Sequence, residues 1–152
     1  RDALRFFDYL FEKMGDDGEI ILVKGNHDPV LDPIAHKMNI KVVELYQMDH
    51  ITILHGHRIV LGLQDIIIIG HEHPAISFPE RREEKFKCFL KGKWKEKTLI
   101  VQPSLTQIHA GSDVLREQHL SPFLQDGVDD FEVYVLADKI RHFGTVKDIK
   151  NL

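Results

Sequence analysis

The chain has 152 residues, enough for one domain with a real core, and its 43% hydrophobic and 29% charged content is ordinary for a soluble globular protein. A formal charge of −4 argues against a broad nucleic-acid footprint. The single cysteine, Cys88, excludes an internal disulfide framework and fits a reducing compartment. No apolar run approaches the roughly 20 residues that span a bilayer, and no signal peptide or low-complexity segment is visible. A cytoplasmic location without a membrane partner is therefore expected. The chain opens at Arg1 with no initiator methionine and enters directly into a helix, which reads as a fragment, a processed chain or the ordered part of something longer.

Taken in order, Asp2 to Met14 carries apolar residues at Ala3, Leu4, Phe6, Phe7, Leu10, Phe11 and Met14, a helix with a wide buried stripe. Asp2 is its expected N-cap and Gly15 its stop. Glu19 to Val23 reads as a short buried strand, and the helix–strand succession suggests α/β layering. That strand ends in Lys24-Gly25-Asn26-His27-Asp28. Asp32-Pro33 starts a second helix, closed by Asn39. Lys41 to Leu45 and Ile51 to Leu54 are two strands joined by a polar turn near Gln47 to His50, and the second ends in His55-Gly56-His57.

Ile66 to Ile69 is a run of four β-branched residues, read as a strand buried on both faces. It stops at Gly70, which frees the backbone to turn, and delivers His71-Glu72-His73. In an extended segment, positions i and i+2 project to one side, so His71 and His73 are expected to share a pocket while Glu72 points away. Beyond this element, Lys85 to Leu90 and Thr98 to Val101 form a hairpin across Lys91 to Trp94. Gln102 to Leu120 is a polar connector. Phe131 to Ala137 and Ile140 to Phe143 pair across Asp138-Lys139, and a short polar tail follows Thr145. No internal repeat and no linker divides the chain, so residues 1–152 read as part of a single domain.

Three strands thus end in glycine-containing loops rich in nitrogen and oxygen ligands. In open α/β sheets, sites are built at the carboxyl ends of strands, so the three loops are expected to converge. Together they offer Asn26, His27, Asp28, His55, His57, His71 and His73. Neutral imidazoles and an amide oxygen suit Mn, Fe, Co, Ni or Zn better than Mg or Ca. Two such ions about 3.5–4 Å apart clamp a phosphoryl group and generate a hydroxide near neutral pH.

Gly25-Asn26-His27-Asp28, His55-Gly56-His57 and Gly70-His71-Glu72-His73 resemble the ordered C-terminal motifs of the calcineurin-like metallophosphoesterases. The closest similarity is to archaeal phosphoesterases related to the nuclease subunit SbcD. Beyond the metal motifs it is carried by Gly70 to Ile76, Cys88-Phe89-Leu90-Lys91-Gly92 and Leu120-Ser121-Pro122-Phe123-Leu124. The resemblance implies a four-layer α/β/β/α sandwich around two divalent transition metals, with manganese the first choice. By position, Asn26, His55 and His71 would bind one metal and His73 the other. His27 would lie beside the scissile phosphate as a proton donor with Asp28 orienting its ring, and His57 would contact substrate or support the ligands.

The Asp-x-His motif with which the family begins does not occur in this chain, and Gly15-Asp16-Asp17 reads as a turn after a helix and not as the family's strand-end Gly-Asp cluster. The expectation is a C-terminal part of the domain that lacks its N-terminal strands. Apolar flanks of the strands ending at Val23 and Ile69 would then be exposed, making a homo-oligomer a candidate assembly. The expected function is metal-dependent hydrolysis of phosphomonoesters or phosphodiesters, with a DNA-processing nuclease as the sharper version. The rival reading is a catalytically inactive scaffold or binding module of the same fold.

His36, His50, His119 and His142 read as surface or structural residues, whereas His109 and Asp113 lie in a loop able to approach the site. Arg81 to Lys97 holds eight basic and three acidic residues, either a phosphate-backbone contact or, the favoured reading, a solvated edge guarded by lysine. Trp94 is expected to pack on its hairpin.

Overall fold

Phe7, Leu10 and Phe11 recur at helical spacing, and the first helix, α1 (Asp2–Met14), turns them toward a small core. It ends as the sequence predicts: Gly15 takes φ +73° and its N–H donates to the Phe11 carbonyl at 3.1 Å. The computed structural model describes residues 2–15, 18–26, 31–78, 80, 81, 83–106 and 108–152, in two compact units, Arg1–Glu44 and Leu45–Leu152.

In the first unit, β1 (Ile21–Val23) is followed by α2 (Leu31–Lys37) and β2 (Lys41–Val43), and the two strands pair in parallel with Ile21 opposite Lys41. Phe7, Ala35 and Ile40 are buried at its centre. Asn39 closes α2 with φ +55°, while Asp32 falls inside the first turn because the helix begins at Leu31. The single strand expected over Lys41 to Leu45 is interrupted at Glu44. Residues to Val43 pair with β1, whereas Leu45 opens β3 (Leu45–Met48) in the second unit. The apolar pattern runs through the break, so periodicity does not reveal that the chain changes sheets.

In the second unit, β3 turns at Asp49, where φ is +51°, into β4 (Ile51–Leu54), and the two are antiparallel. Next come β5 (Ile66–Ile69), β6 (Pro74–Ile76), β7 (Phe86–Trp94), β8 (Lys97–Val101), β9 (Ser112–Asp113), β10 (Glu132–Leu136) and β11 (Ile140–Thr145). Among the described residues these nine strands form one sheet with the order β11-β10-β7-β8-β5-β4-β3, and β6 and β9 branch from β7. The β4, β5 and β8 strands are mutually parallel and the remaining neighbours on that path are antiparallel.

The α/β class read from the sequence holds. The isoleucine run does not have two buried faces, however. Ile67 and Ile69 are fully buried while Ile66 and Ile68 are half-buried, because the hydrophobic cover lies on one side. That cover includes Phe123, Leu124, Val128 and Phe131, packed with Leu54, Leu90, Leu99 and Val101. The hairpin is tighter than expected: β7 continues through Trp94 and turns at Lys95-Glu96, with Lys95 at φ +53°. Trp94 is buried with its ring centroid 4.8 Å from that of Phe123.

The tail after Thr145 forms α3 (Val146–Lys150), which buries Val146 and Ile149. Thr145 and Asp148 cap it reciprocally, with the Thr145 N–H donating to Asp148 at 2.8 Å and the Asp148 N–H donating back at 3.2 Å.

Two outcomes follow from this packing. A Cβ at Gly92 would sit 2.3 Å from the buried Phe131 ring, so Gly92→Ala should destabilise by about 1–3 kcal/mol, as overpacking does. Urea denaturation should show most of that cost disappearing in a Phe131→Ala background. Burial first, then the nearby Asp113, pushes the Cys88 thiol up to about 12. The native protein should resist iodoacetamide at pH 8 and react only once unfolded. Equal labelling rates in the two states would contradict the packing.

Candidate metal centre

Parallel pairing of β4 with β5 sets Ile53 opposite Ile68, so the loops that leave the two strands run side by side. The His55 carbonyl accepts the N–H of Gly70 at 3.1 Å and of His71 at 2.8 Å, extending the sheet's bonding one step beyond both strands. The imidazoles follow their backbones. His71 Nδ1 and His55 Nε2 stand 2.9 Å apart, and the His57 ring lies 5.4 Å from that of His55 and 6.2 Å from that of His71. Gly56 makes the approach possible: its φ is +96°, and a Cβ there would meet Ile69 Cβ at 2.7 Å. Gly70 needs neither a positive φ nor open space, so the freedom expected of it is not used.

The extended segment expected to carry His71 and His73 does not form, because residues 71 and 72 make a turn. The His73 N–H reaches back to the Gly70 carbonyl at 3.4 Å, and His73 itself takes φ +50°. His71 therefore meets His55 and His57, whereas His73 meets His109, with 6.3 Å between ring centroids. The Ser112 N–H donates to the His73 carbonyl at 3.0 Å, and a Cβ on Gly111 would lie 2.4 Å from that oxygen.

The segment leading to His109 is held by Lys87. Its ammonium donates to the Ser104 carbonyl at 2.9 Å, to the Ser104 hydroxyl at 3.0 Å and to the Thr106 carbonyl. Burial first, then His109 and Lys87, holds the His73 imidazole below its ordinary value, against the opposing pull of Glu72. Asp113, the other residue of the loop able to approach the site, is buried. It accepts from the Ser77 hydroxyl and from the Leu115 N–H at 3.1 Å, and lies 3.5 Å from the Arg116 guanidinium.

Asn26 lies in the turn after β1, in the first unit, and is exposed. His27 and Asp28 lie outside the described residues. Among the described residues, no three His, Cys, Asp or Glu side chains form a group able to hold a metal ion. The His55–His71 pair nonetheless suits one in its donor chemistry. Two imidazole lone pairs cannot face each other at 2.9 Å unless a proton or a cation lies between them. Nitrogens occupying adjacent positions of an octahedral ion with bonds of about 2.1 Å stand about 3.0 Å apart. The nearby His57 Nδ1 is buried and has no hydrogen-bond partner among the described residues.

The basic hairpin lies elsewhere. Thr98 pairs with Ile66 at the start of β5, and Val101 with Ile69 at its end. Lys93, Lys95 and Lys97 at the hairpin tip therefore sit at the opposite end of these strands from the histidines, roughly 15 Å away along the sheet. Nearer residues of the basic segment are partly neutralised, Lys85 by Glu117 at 2.5 Å and Lys91 by Glu132 at 3.5 Å.

Glu72 and Ser121 carried no functional signal in the sequence beyond their neighbours, yet both are fully buried beside the histidine loops.

No protein-family model and no curated protein matches the chain in sequence. Among the described residues, no helix is long and apolar enough to cross a membrane. In structure the chain is similar to the nuclease MPE of Pseudomonas putida, with a TM-score of 0.59 and 16% identity over 86% of this chain and 57% of that one. The chain thus spans somewhat more than half the length of that nuclease, and what the two share is the α/β fold.

Proposed function

We propose that the protein is a metal-dependent phosphoesterase whose first cation is held by His55 and His71. The observation that carries this reading is the 2.9 Å approach of His71 Nδ1 to His55 Nε2 at the ends of two adjacent parallel strands. The likeness in fold to a nuclease supports the same class, and hydrolysis of nucleic-acid phosphodiesters is its sharper form. Asn26 is the proposed third ligand and His73 a ligand of a second ion. A divalent ion here would polarise the phosphoryl oxygens and lower the pKa of a water molecule.

The chain's own residues then have separate tasks. His55 and His71 present lone pairs only while neutral. His57 borders the same pocket and is placed to accept or donate a hydrogen bond through the unpaired Nδ1. His27 is the proposed donor to a phosphoryl oxygen or to the leaving group, with Asp28 holding its ring in the required tautomer. The tip of the basic hairpin has no part in this reading, since it lies at the other end of the sheet.

The metal assignment has a direct test. Manganese or cobalt added to the purified protein should bind tightly at one ion per chain, and His71→Ala should lose most of that affinity. Protonation competes with the cation, so affinity should fall as pH drops below about 6.5. His73, held below its ordinary value, should lose its cation to protonation at a lower pH than an ordinary imidazole would. Equal metal content in wild type and His71→Ala by elemental analysis would overturn the assignment and leave the inactive scaffold as the better reading.

The catalytic assignment is tested with bis-p-nitrophenyl phosphate and added manganese. In a form that also carries the family's Asp-x-His and Gly-Asp motifs, His27→Ala should lower kcat by ~10²–10⁴ with metal content unchanged, the usual span for a positioned proton donor. A variant that keeps full kcat, or that loses its metal, would remove His27 from this role.

A further inference from the structure

We infer that Glu72 is the positioning residue of the histidine cluster. Its buried carboxylate ties the turn carrying His71 and His73 to the backbone of Leu120 and Ser121, and Ser121 ties that backbone to the loop carrying His55 and His57. A charged side chain that is 1% exposed is unusual and persists only where its oxygens are bonded. Glu72 Oε2 accepts two backbone N–H groups, from Leu120 and from Ser121, each at 2.9 Å. Hydrogen bonds to an ionised acceptor are about twice as strong as neutral ones, so one oxygen grips two successive peptide units.

From there the tie continues. The Ser121 hydroxyl, itself fully buried, donates to the Gly56 carbonyl at 2.8 Å, between His55 and His57. One carboxylate and one hydroxyl thereby join three loops that are far apart in sequence. The remaining oxygen, Oε1, lies 3.4 Å from His119 Nδ1, within ion-pair distance but outside hydrogen-bond geometry, and neither atom has a hydrogen-bond partner among the described residues. Glu72 touches neither substrate nor cation in this role. It fixes the peptide planes on either side of itself, and so the directions in which His71 and His73 leave the turn. In metal sites, such outer partners typically govern affinity by 10–100-fold.

The inference concerns the placement of the imidazoles, and only its affinity arm rests on the proposed metal centre. The test compares Glu72→Ala, Glu72→Gln and Ser121→Ala by two readouts. The first is the long-range proton–nitrogen NMR spectrum of the histidine rings in metal-free protein. The second is cobalt affinity.

Glutamine keeps a carbonyl oxygen able to accept both N–H groups, so Glu72→Gln should resemble wild type in both. Glu72→Ala should remain folded, move the ring signals of His71, His73 and His119, and weaken cobalt binding about tenfold or more. Ser121→Ala should move His55 and His57 and leave His73 in place, which keeps the inference testable should Glu72→Ala not fold.

Unchanged ring signals in Glu72→Ala would overturn the inference. So would a Glu72→Gln protein as impaired as Glu72→Ala, or Ser121→Ala shifts spread equally over all the rings. A wild-type protein that binds no cobalt would count against the metal centre alone, since the ring signals would still report what Glu72 does.

Discussion

The carbonyl of His55 is the atom on which the histidine cluster depends. It accepts two N–H groups from the neighbouring loop, and so the parallel register of β4 and β5 persists past the point where both strands end. Without that continuation His55 and His71 would be residues on two separate mobile loops. With it, their separation is set by the spacing of adjacent strands, a quantity the whole sheet holds constant. Gly56 and Ile69 lock the same junction from the side, since the glycine leaves the space that the isoleucine occupies. The cluster is therefore an extension of the hydrophobic core, and its geometry is as rigid as the packing of Ile67 and Ile69.

Much of this was legible in the residues. Strand ends carrying histidine were readable from apolar runs that stop at glycine, and α1, β4, β5 and the β10–β11 hairpin lie close to where periodicity places them. Two of the three loops do come together, because their strands are neighbours in one sheet. What the sequence concealed has identifiable physical causes. The segment from His71 to His73 looked extended because glycine was assigned the turn. The left-handed residue is in fact His73, held there by the Ser112 N–H and by the room that Gly111 leaves.

The pattern places Glu72 only on the side away from the histidines, because nothing local predicts that two N–H groups 48 and 49 residues away will meet it. The α3 helix is hidden in the sequence because five polar-rich residues have no visible period, although Thr145 and Asp148 spell out a cap. In each case a contact distant in sequence, or a side-chain cap, outweighed the local pattern.

The loops around the cluster divide into two kinds. Those carrying His55, His57, His71 and Glu72 are bonded into the sheet or to each other through buried groups. The segment from Ser104 to His109 is instead held by the Lys87 ammonium on three oxygens and by the Ser104 hydroxyl, and Leu105, Thr106, Ile108 and His109 are exposed. His109 nevertheless stands against His73, so the sheet-bonded loops face a segment held by side-chain hydrogen bonds.

That division governs how the site breathes. The amide protons of Gly70 and His71 are bonded to a carbonyl at the end of a core strand, so they exchange with solvent only when the β4–β5 pair opens, a cooperative event whose free energy approaches that of global unfolding. The loops that would grip a cation are then as slow to open as the sheet interior, and as resistant to proteolysis. A ligand entering the cluster meets loops whose backbone is already bonded into the sheet.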